Sequence, residues 1–186
     1  MRHPKTSATL ATTLLAALLA GCGGGDGEAG AEGASLEPIR EAPPFALETL
    51  GGDSLRLADL EGNRVILMNF WASWCAPCRA EVPDLIELQE AYEEEPFTVL
   101  GITVNDLPRD SRAFAKEMGM NYPNVIGTPA MLERYGVSPW LPTTLLVRDG
   151  EVVREWVGPQ TREQFEAVVR VALGKAGSVE EEDDAG

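Results

Sequence analysis

Histidine is all but missing from this chain: His3 is the single example in 186 residues, and cysteine occurs only at positions 22, 75 and 78. So small a supply of soft and imidazole ligands excludes a multi-ligand zinc cluster, which needs three or four such side chains. Basic residues are scarce as well, 15 Lys and Arg against 30 Asp and Glu, for a net charge of −15. Nucleic-acid recognition, which needs clustered cations, is thereby excluded. The acidic excess otherwise says only that the surface keeps the protein soluble. No apolar run is long enough to be a comfortable membrane span. What the chain does have is an ordinary core supply, 44% hydrophobic residues with 6% aromatic, enough for one domain with appendages.

The appendages are visible at both ends. Arg2 and Lys5 precede "SATLATTLLAALLA", a positive start followed by a short apolar stretch, which is the pattern of an export signal over 1–21. That stretch closes in "LLAGC", Leu18 to Cys22, which resembles the lipobox of bacterial lipoproteins. The resemblance implies that Cys22 receives a diacylglycerol and becomes the first residue of the mature chain. Such a chain has lost its one histidine and keeps only two free thiols, Cys75 and Cys78. Residues 22–40, rich in Gly, Ala and Glu, then read as a flexible tether. The folded domain is expected over 41–175, and "VEEEDDAG" falls in a short acidic tail over 176–186. The implied place is the bacterial cell envelope, lipid-anchored, with the domain facing the periplasm or extracytoplasmic space. Gly23 differs from the Asp retention signal of enterobacterial lipoproteins, which leaves the choice of membrane open. Outside the cytoplasm, paired cysteines are normally oxidised.

Within the domain, "SLRLADL" suggests a short strand or turn. "VILMNFW", Val65 to Trp71, is a continuous apolar run of the buried-strand type. A helix is predicted over 76–95, with Val82, Leu85, Ile86 and Tyr92 at helical spacing and Glu81, Asp84, Glu87 and Glu90 between them. "FTVLGITVN" is a second buried strand. "SRAFAKEMGM" and "PAMLERYG" are helices closed by Gly119 and Gly136. "TTLLVRDGEVVREWVG" is a hairpin turning at Asp149-Gly150. A last helix begins at Thr161, which forms a capping box with Gln164. This alternation predicts an α/β fold, a mixed central sheet with helices on both faces.

The chemistry centres on "NFWASWCAPC". A Cys-x-x-Cys is half a zinc site, a small structural staple, or a redox pair. A mature chain without histidine can hold zinc only between chains, and so tiny a loop gains little from cross-linking. Redox exchange fits best. The pair follows a buried strand and opens a helix, whose N-terminal amides and dipole favour a thiolate at Cys75. Cys78 lies one turn on, placed to resolve a mixed disulfide. Pro77 suits the first helical turn, and Trp74 offers a flat docking surface beside the pair.

"FWASWCAPC", with "LPTT" at 141–144, resembles the thioredoxin fold, and specifically the TlpA/ResA-like thiol–disulfide oxidoreductases of bacteria. "PPFALETLGGDSLRLADLEGNRVILMNFWASWC" is similar to the N-terminal redoxin-type extension of that group, and Pro83 matches its helix-kinking proline. The resemblance implies a cis bond at Leu141-Pro142, facing the redox pair and pairing with substrate backbone. It also implies a proton-exchanging role for Glu81 beside the thiols, set against its other reading as the start of a solvated acidic face. Asn69 stands where thioredoxins keep a buried Asp, so proton handling is not expected there. Two departures stand out: "YGVSPWLPTT" is about one residue longer than usual, with Trp140 inserted, and "NVIGTP" lacks a customary acidic residue.

The uncharged Ala76-Pro77 dipeptide favours a reductant over an oxidant. The resemblance implies a monomer without cofactor or metal, a membrane thiol reductase as electron donor, and oxidised protein disulfides as clients. In the family, those clients include haem-attachment cysteines of cytochrome c maturation and copper-site cysteines. Two other functions fit the residues less well. A peroxiredoxin-like peroxidase needs a Thr-containing loop and an Arg partner for its cysteine, which "ASWCAPC" does not supply. A Sco-like copper chaperone needs Cys-x-x-x-Cys and a distant histidine.

Overall fold

The computed structural model describes residues 36–60, 62 and 64–175. The expected export signal, Cys22, the tether through residue 35 and the acidic tail lie outside the described residues. Structure begins earlier than the expected domain start, however. Leu36 is buried in the core, Arg148 donates a 2.7 Å hydrogen bond to its carbonyl, and strand β1, Arg40–Glu41, joins the main sheet.

After β1 come a small hairpin, β2 (Ala46–Glu48) and β3 (Ser54–Arg56), and a 3-10 turn over Leu57–Leu60. The rest is β4 (Val65–Trp71), α1 (Ala76–Ala91), β5 (Phe97–Thr103), α2 (Pro108–Met118), β6 (Asn124–Ile126), α3 (Pro129–Tyr135), β7 (Thr143–Arg148), β8 (Glu151–Val157) and α4 (Arg162–Ala172). Six strands form one sheet in the order β1-β8-β7-β4-β5-β6, parallel for β4-β5-β6 and antiparallel for the others, while β2 and β3 pair separately. β4 is central, and all seven of its residues are buried, as a continuous apolar strand requires.

Alternation along the strands divides the core. Ile66, Met68 and Phe70 pack with Met131 and Tyr135 of α3 and with Phe45 and Leu47. Val65 and Leu67 pack on the other face with Leu85 and Leu88 of α1 and Phe165 and Val169 of α4. A third cluster, Trp71, Cys75, Cys78, Val82 and Phe114, joins the end of β4 to α1 and α2. Among the described residues no helix is long and apolar enough to cross a membrane.

Several boundaries differ from expectation. α1 stops at Ala91 rather than residue 95, because continuing it would set Glu93 and Glu94 against Glu90 at i,i+3 and i,i+4, and Pro96 disfavours helix before it. α2 starts three residues earlier than Ser111, with Pro108 in its first turn. Gly119 and Gly136 close α2 and α3 at φ 67° and 62°, and both halves of the Thr161–Gln164 capping box are made. β1, β2 and β6 are two or three residues long, too short to show a period.

Gly101 on β5 marks a close approach. A Cβ there would sit 1.8 Å from Asn124 Oδ1 and 2.9 Å from Trp71 Nε1. Asn124 cannot step aside cheaply, since it accepts from Trp71 Nε1 at 3.1 Å and donates to the Tyr122 carbonyl at 3.0 Å. Gly101→Ala is therefore expected to destabilise the fold by about 2 kcal/mol, read as a lowered urea midpoint at unchanged slope.

Candidate active site

Strand β4 delivers the chain to the site. After Trp71 it turns through Ala72–Trp74, and Cys75 becomes the N-cap of α1 with extended backbone, φ −84° and ψ 104°. Its Sγ accepts the Cys78 amide at 3.3 Å, one of the amides a helix start leaves unpaired. Cys75 and Cys78 are joined as a disulfide with Cα atoms 5.3 Å apart. Cys75 is 5% exposed and Cys78 1%, so solvent reaches the first sulfur more than the second.

The turn is held from the side by the β5–α2 connection. Asp106 Oδ2 accepts the Ser73 amide at 2.7 Å and the Ser111 hydroxyl at 2.9 Å. Trp74 Nε1 donates to the Asn105 carbonyl at 3.0 Å, and Asn105 reaches that position at φ 52°, a conformation asparagine tolerates. Burial pushes the Asp106 carboxyl up, but the bonds from Ser73, Ser111 and the Leu107 amide outweigh it and hold it below its ordinary value. Neither Asn105 nor Asp106 was singled out from the sequence, where they read as an ordinary loop before α2.

Glu81 does not begin a solvated acidic face: it is 2% exposed. Its Oε2 accepts from Asn69 Nδ2 at 2.8 Å and its Oε1 from the Gln160 amide at 2.8 Å. Asn69 Nδ2 also donates to Thr144 Oγ1 at 2.9 Å. Burial pushes the carboxyl up to about 7, partly offset by the two hydrogen bonds, with Asp84 nearby adding a little. Asn69, where no proton handling is expected, thus orients the Glu81 carboxyl. Gln160 was missed, being 79 residues from Glu81 in sequence with no motif around it.

The Leu141–Pro142 bond is cis. Pro142 itself is buried, and its carbonyl accepts the Gly158 amide at 2.8 Å. Trp74, Cys75, Pro77, Pro139, Trp140 and Leu141 line one cleft of about 360 Å³. Cys75 and three of the proposed substrate contacts, Trp74, Pro77 and Leu141, thus meet at one opening with Trp140, while Cys78, Glu81 and Pro142 lie outside its lining. Among the described residues no three His, Cys, Asp or Glu side chains are grouped to hold a metal ion.

A disulfide at the start of a helix, a cis-proline segment at the same cleft and a parallel core of β4-β5-β6 define a thioredoxin-fold redox domain. The model of the AhpC/TSA family matches residues 38–156. The thiol-disulfide oxidoreductase ResA of Bacillus thuringiensis (strain Al Hakam) is 35% identical over 133 residues, covering 70% of this chain and 76% of that protein. A thiol:disulfide interchange protein of the thioredoxin family from Chlorobium tepidum superposes with a TM-score of 0.68 at 33% identity, covering 76% of this chain and 100% of its own. A secreted thiol-disulfide isomerase of Corynebacterium glutamicum gives 0.64 at 29% identity, covering 72% and 84%. The chain belongs to the AhpC/TSA family, among its ResA-like thiol–disulfide oxidoreductases.

The raised Glu81 carboxyl has a measurable consequence. Between about pH 4.5 and 7 the folded protein keeps a proton that the unfolded chain has released, so stability falls as pH rises through that window. The loss amounts to about 3 kcal/mol for a shift of this size. Other carboxylates titrate in both proteins, so the comparison is with Glu81→Gln: urea unfolding of the oxidised forms from pH 4 to 8.5 is expected to show this decline only where Glu81 is present.

Proposed function

We propose that the protein is a lipid-anchored, extracytoplasmic reductant of protein disulfides. The observation that carries this reading is the juxtaposition of three features. They are a sulfur at a helix N-terminus opening on an apolar cleft, its partner cysteine buried behind it, and a buried carboxyl titrating near neutrality one turn further along.

The cycle begins with both cysteines reduced. Cys75, stabilised as a thiolate by the Cys78 amide and the helix dipole, attacks one sulfur of the client disulfide. That bond breaks, the client's other sulfur leaves as a thiolate, and Cys75 is joined to the client. Glu81, ionised, accepts the proton of Cys78, and the Cys78 thiolate attacks Cys75. The client's second sulfur departs and takes up a proton. Two electrons have passed to the client, and the Cys75–Cys78 disulfide remains. A membrane thiol reductase restores the dithiol.

Trp74, Pro77, Leu141 and Pro142 present the client's extended backbone to Cys75. Cys22 carries the lipid, and the segment before the domain spaces a monomeric domain from the membrane. Clients are disulfides at haem-attachment or metal-site cysteines, as the family resemblance of the motif implies. The peroxidase reading is not favoured, because the relatives are named for dithiol exchange and the paired cysteine stands three residues away in a disulfide. The copper-chaperone reading is not favoured either, for the spacing is Cys-x-x-Cys and no histidine follows His3.

Reduction of insulin disulfides, followed by precipitation of the freed chain, tests the chemistry. Cys75→Ser is expected to fall to the uncatalysed rate, and Cys78→Ser to accumulate a mixed disulfide with insulin. Glu81→Gln is expected to slow resolution by about 100-fold at pH 7. It should also flatten the rise in rate between pH 6 and 8 that titration of the carboxyl gives the wild type. Undiminished turnover by Cys75→Ser would remove the redox pair from the mechanism.

A further inference from the structure

Among the described residues five large apolar side chains are exposed, and the two most exposed are tryptophans at one cleft. Trp74 is 62% exposed and Trp140 is 74% exposed, and both stand in the wall of the cleft that holds Cys75. Val157, also exposed, pairs across the hairpin with Thr143, the residue after the cis-proline. Large apolar surface left in water beside a reactive sulfur marks a place where a partner covers it.

Both tryptophans are presented by fixed backbone. The Trp74 indole is tied to the Asn105 carbonyl. The Trp140 amide donates to Ser138 Oγ at 3.2 Å, and its carbonyl accepts from Thr143 Oγ1 at 2.7 Å, while the indole lies in solvent. A rigid, amphipathic ring loses little entropy on contact, which is why tryptophan dominates binding hot spots. None of the side chains lining the cleft is charged, whereas the chain as a whole carries −15. Selection inside the cleft is therefore by shape and apolar contact, and the surrounding field repels acidic segments.

We propose that Trp140 is a specificity-determining residue, closing with Trp74 an aromatic clamp for client segments that carry a large apolar or aromatic side chain next to the disulfide cysteine, with neutral or basic flanks. The proposal rests on the reductase reading above and names the class of substrate which that same site prefers.

The test uses peptides Gly-X-Cys-Gly whose cysteine is in a mixed disulfide with 5-thio-2-nitrobenzoate, where X is Trp, Leu, Ala or Glu. Attack by reduced Cys75 on the peptide sulfur breaks that bond and releases the coloured thiolate. Cys78 then frees the peptide thiol and re-forms the disulfide, so each turnover reduces one mixed disulfide by two electrons. With the reduced full-length chain, the second-order rate constant for X = Trp is expected to exceed that for Ala by at least about 10-fold, with Glu slowest. Trp140→Ala should compress the Trp-to-Ala ratio below about threefold, and Trp140→Phe should keep most of it.

Release without preference in the wild type, or an equal slowing of all four peptides by Trp140→Ala, overturns the clamp alone. No release from any peptide overturns the reductase reading and the clamp with it. A wild-type dimer in sedimentation that Trp140→Ala dissolves, with peptide ratios unmoved, makes the tryptophans a self-association face and overturns the clamp too.

Discussion

A single buried carboxyl holds this site together. Glu81 on α1 receives one hydrogen bond from Asn69 of the central strand and another from the backbone of Gln160 in the connection before α4, while Asn69 reaches on to Thr144 beside the cis-proline segment. Three other parts of the chain, β4, β7 and the connection before α4, are thereby fixed relative to α1. Desolvation disfavours the charged form, and the two donors keep it from being prohibitive, so the group titrates near neutral pH. A buried carboxyl shifted by desolvation in this way, one helical turn from a cysteine pair, is the kind of group that marks a functional site.

A second constraint is on the loop that bears the cysteines. Asp106 and Asn105, from the β5–α2 connection, hold Ser73 and Trp74 from one side, and the segment ending in cis Pro142 closes the cleft from the other. The reactive sulfur sits between two fixed walls at the end of the most deeply buried strand. Reactivity is on a turn, and rigidity is on the sheet beneath it.

Much of this was legible in the sequence because it is written in local pattern. β4 and β5 are continuous apolar runs, the hairpin turns at Asp149-Gly150, and Thr161 with Gln164 is a complete capping box. Cys75, Cys78 and the cis-proline position came from motifs at short range, the last through the family resemblance. What was not legible depends on tertiary contact. Glu81 shares helical spacing with Asp84 and Glu87, and only the arrival of Gln160 and the packing of α1 against β4 show that it points inward. Asn69 carries no titrating proton itself, and that its amide reaches the Glu81 carboxyl is visible only in the folded chain. Leu36 was assigned to a tether by its Gly-rich neighbours, yet Arg148, 112 residues away, draws it onto the sheet.

The direction of electron flow turns on the dipeptide between the cysteines and the surroundings of Cys78. Ala76 and Pro77 give the Cys75 thiolate no side-chain donor, and Cys78 is almost wholly buried, which disfavours its ionised form. Both features leave the dithiol without the stabilisation that makes a strong oxidant. The midpoint potential of the Cys75/Cys78 couple at pH 7, from equilibration in thiol–disulfide buffers, tests this most directly. A value near or below about −230 mV is expected for a reductant of protein disulfides. A value above about −150 mV would contradict that direction and make the domain an oxidant or isomerase of its clients.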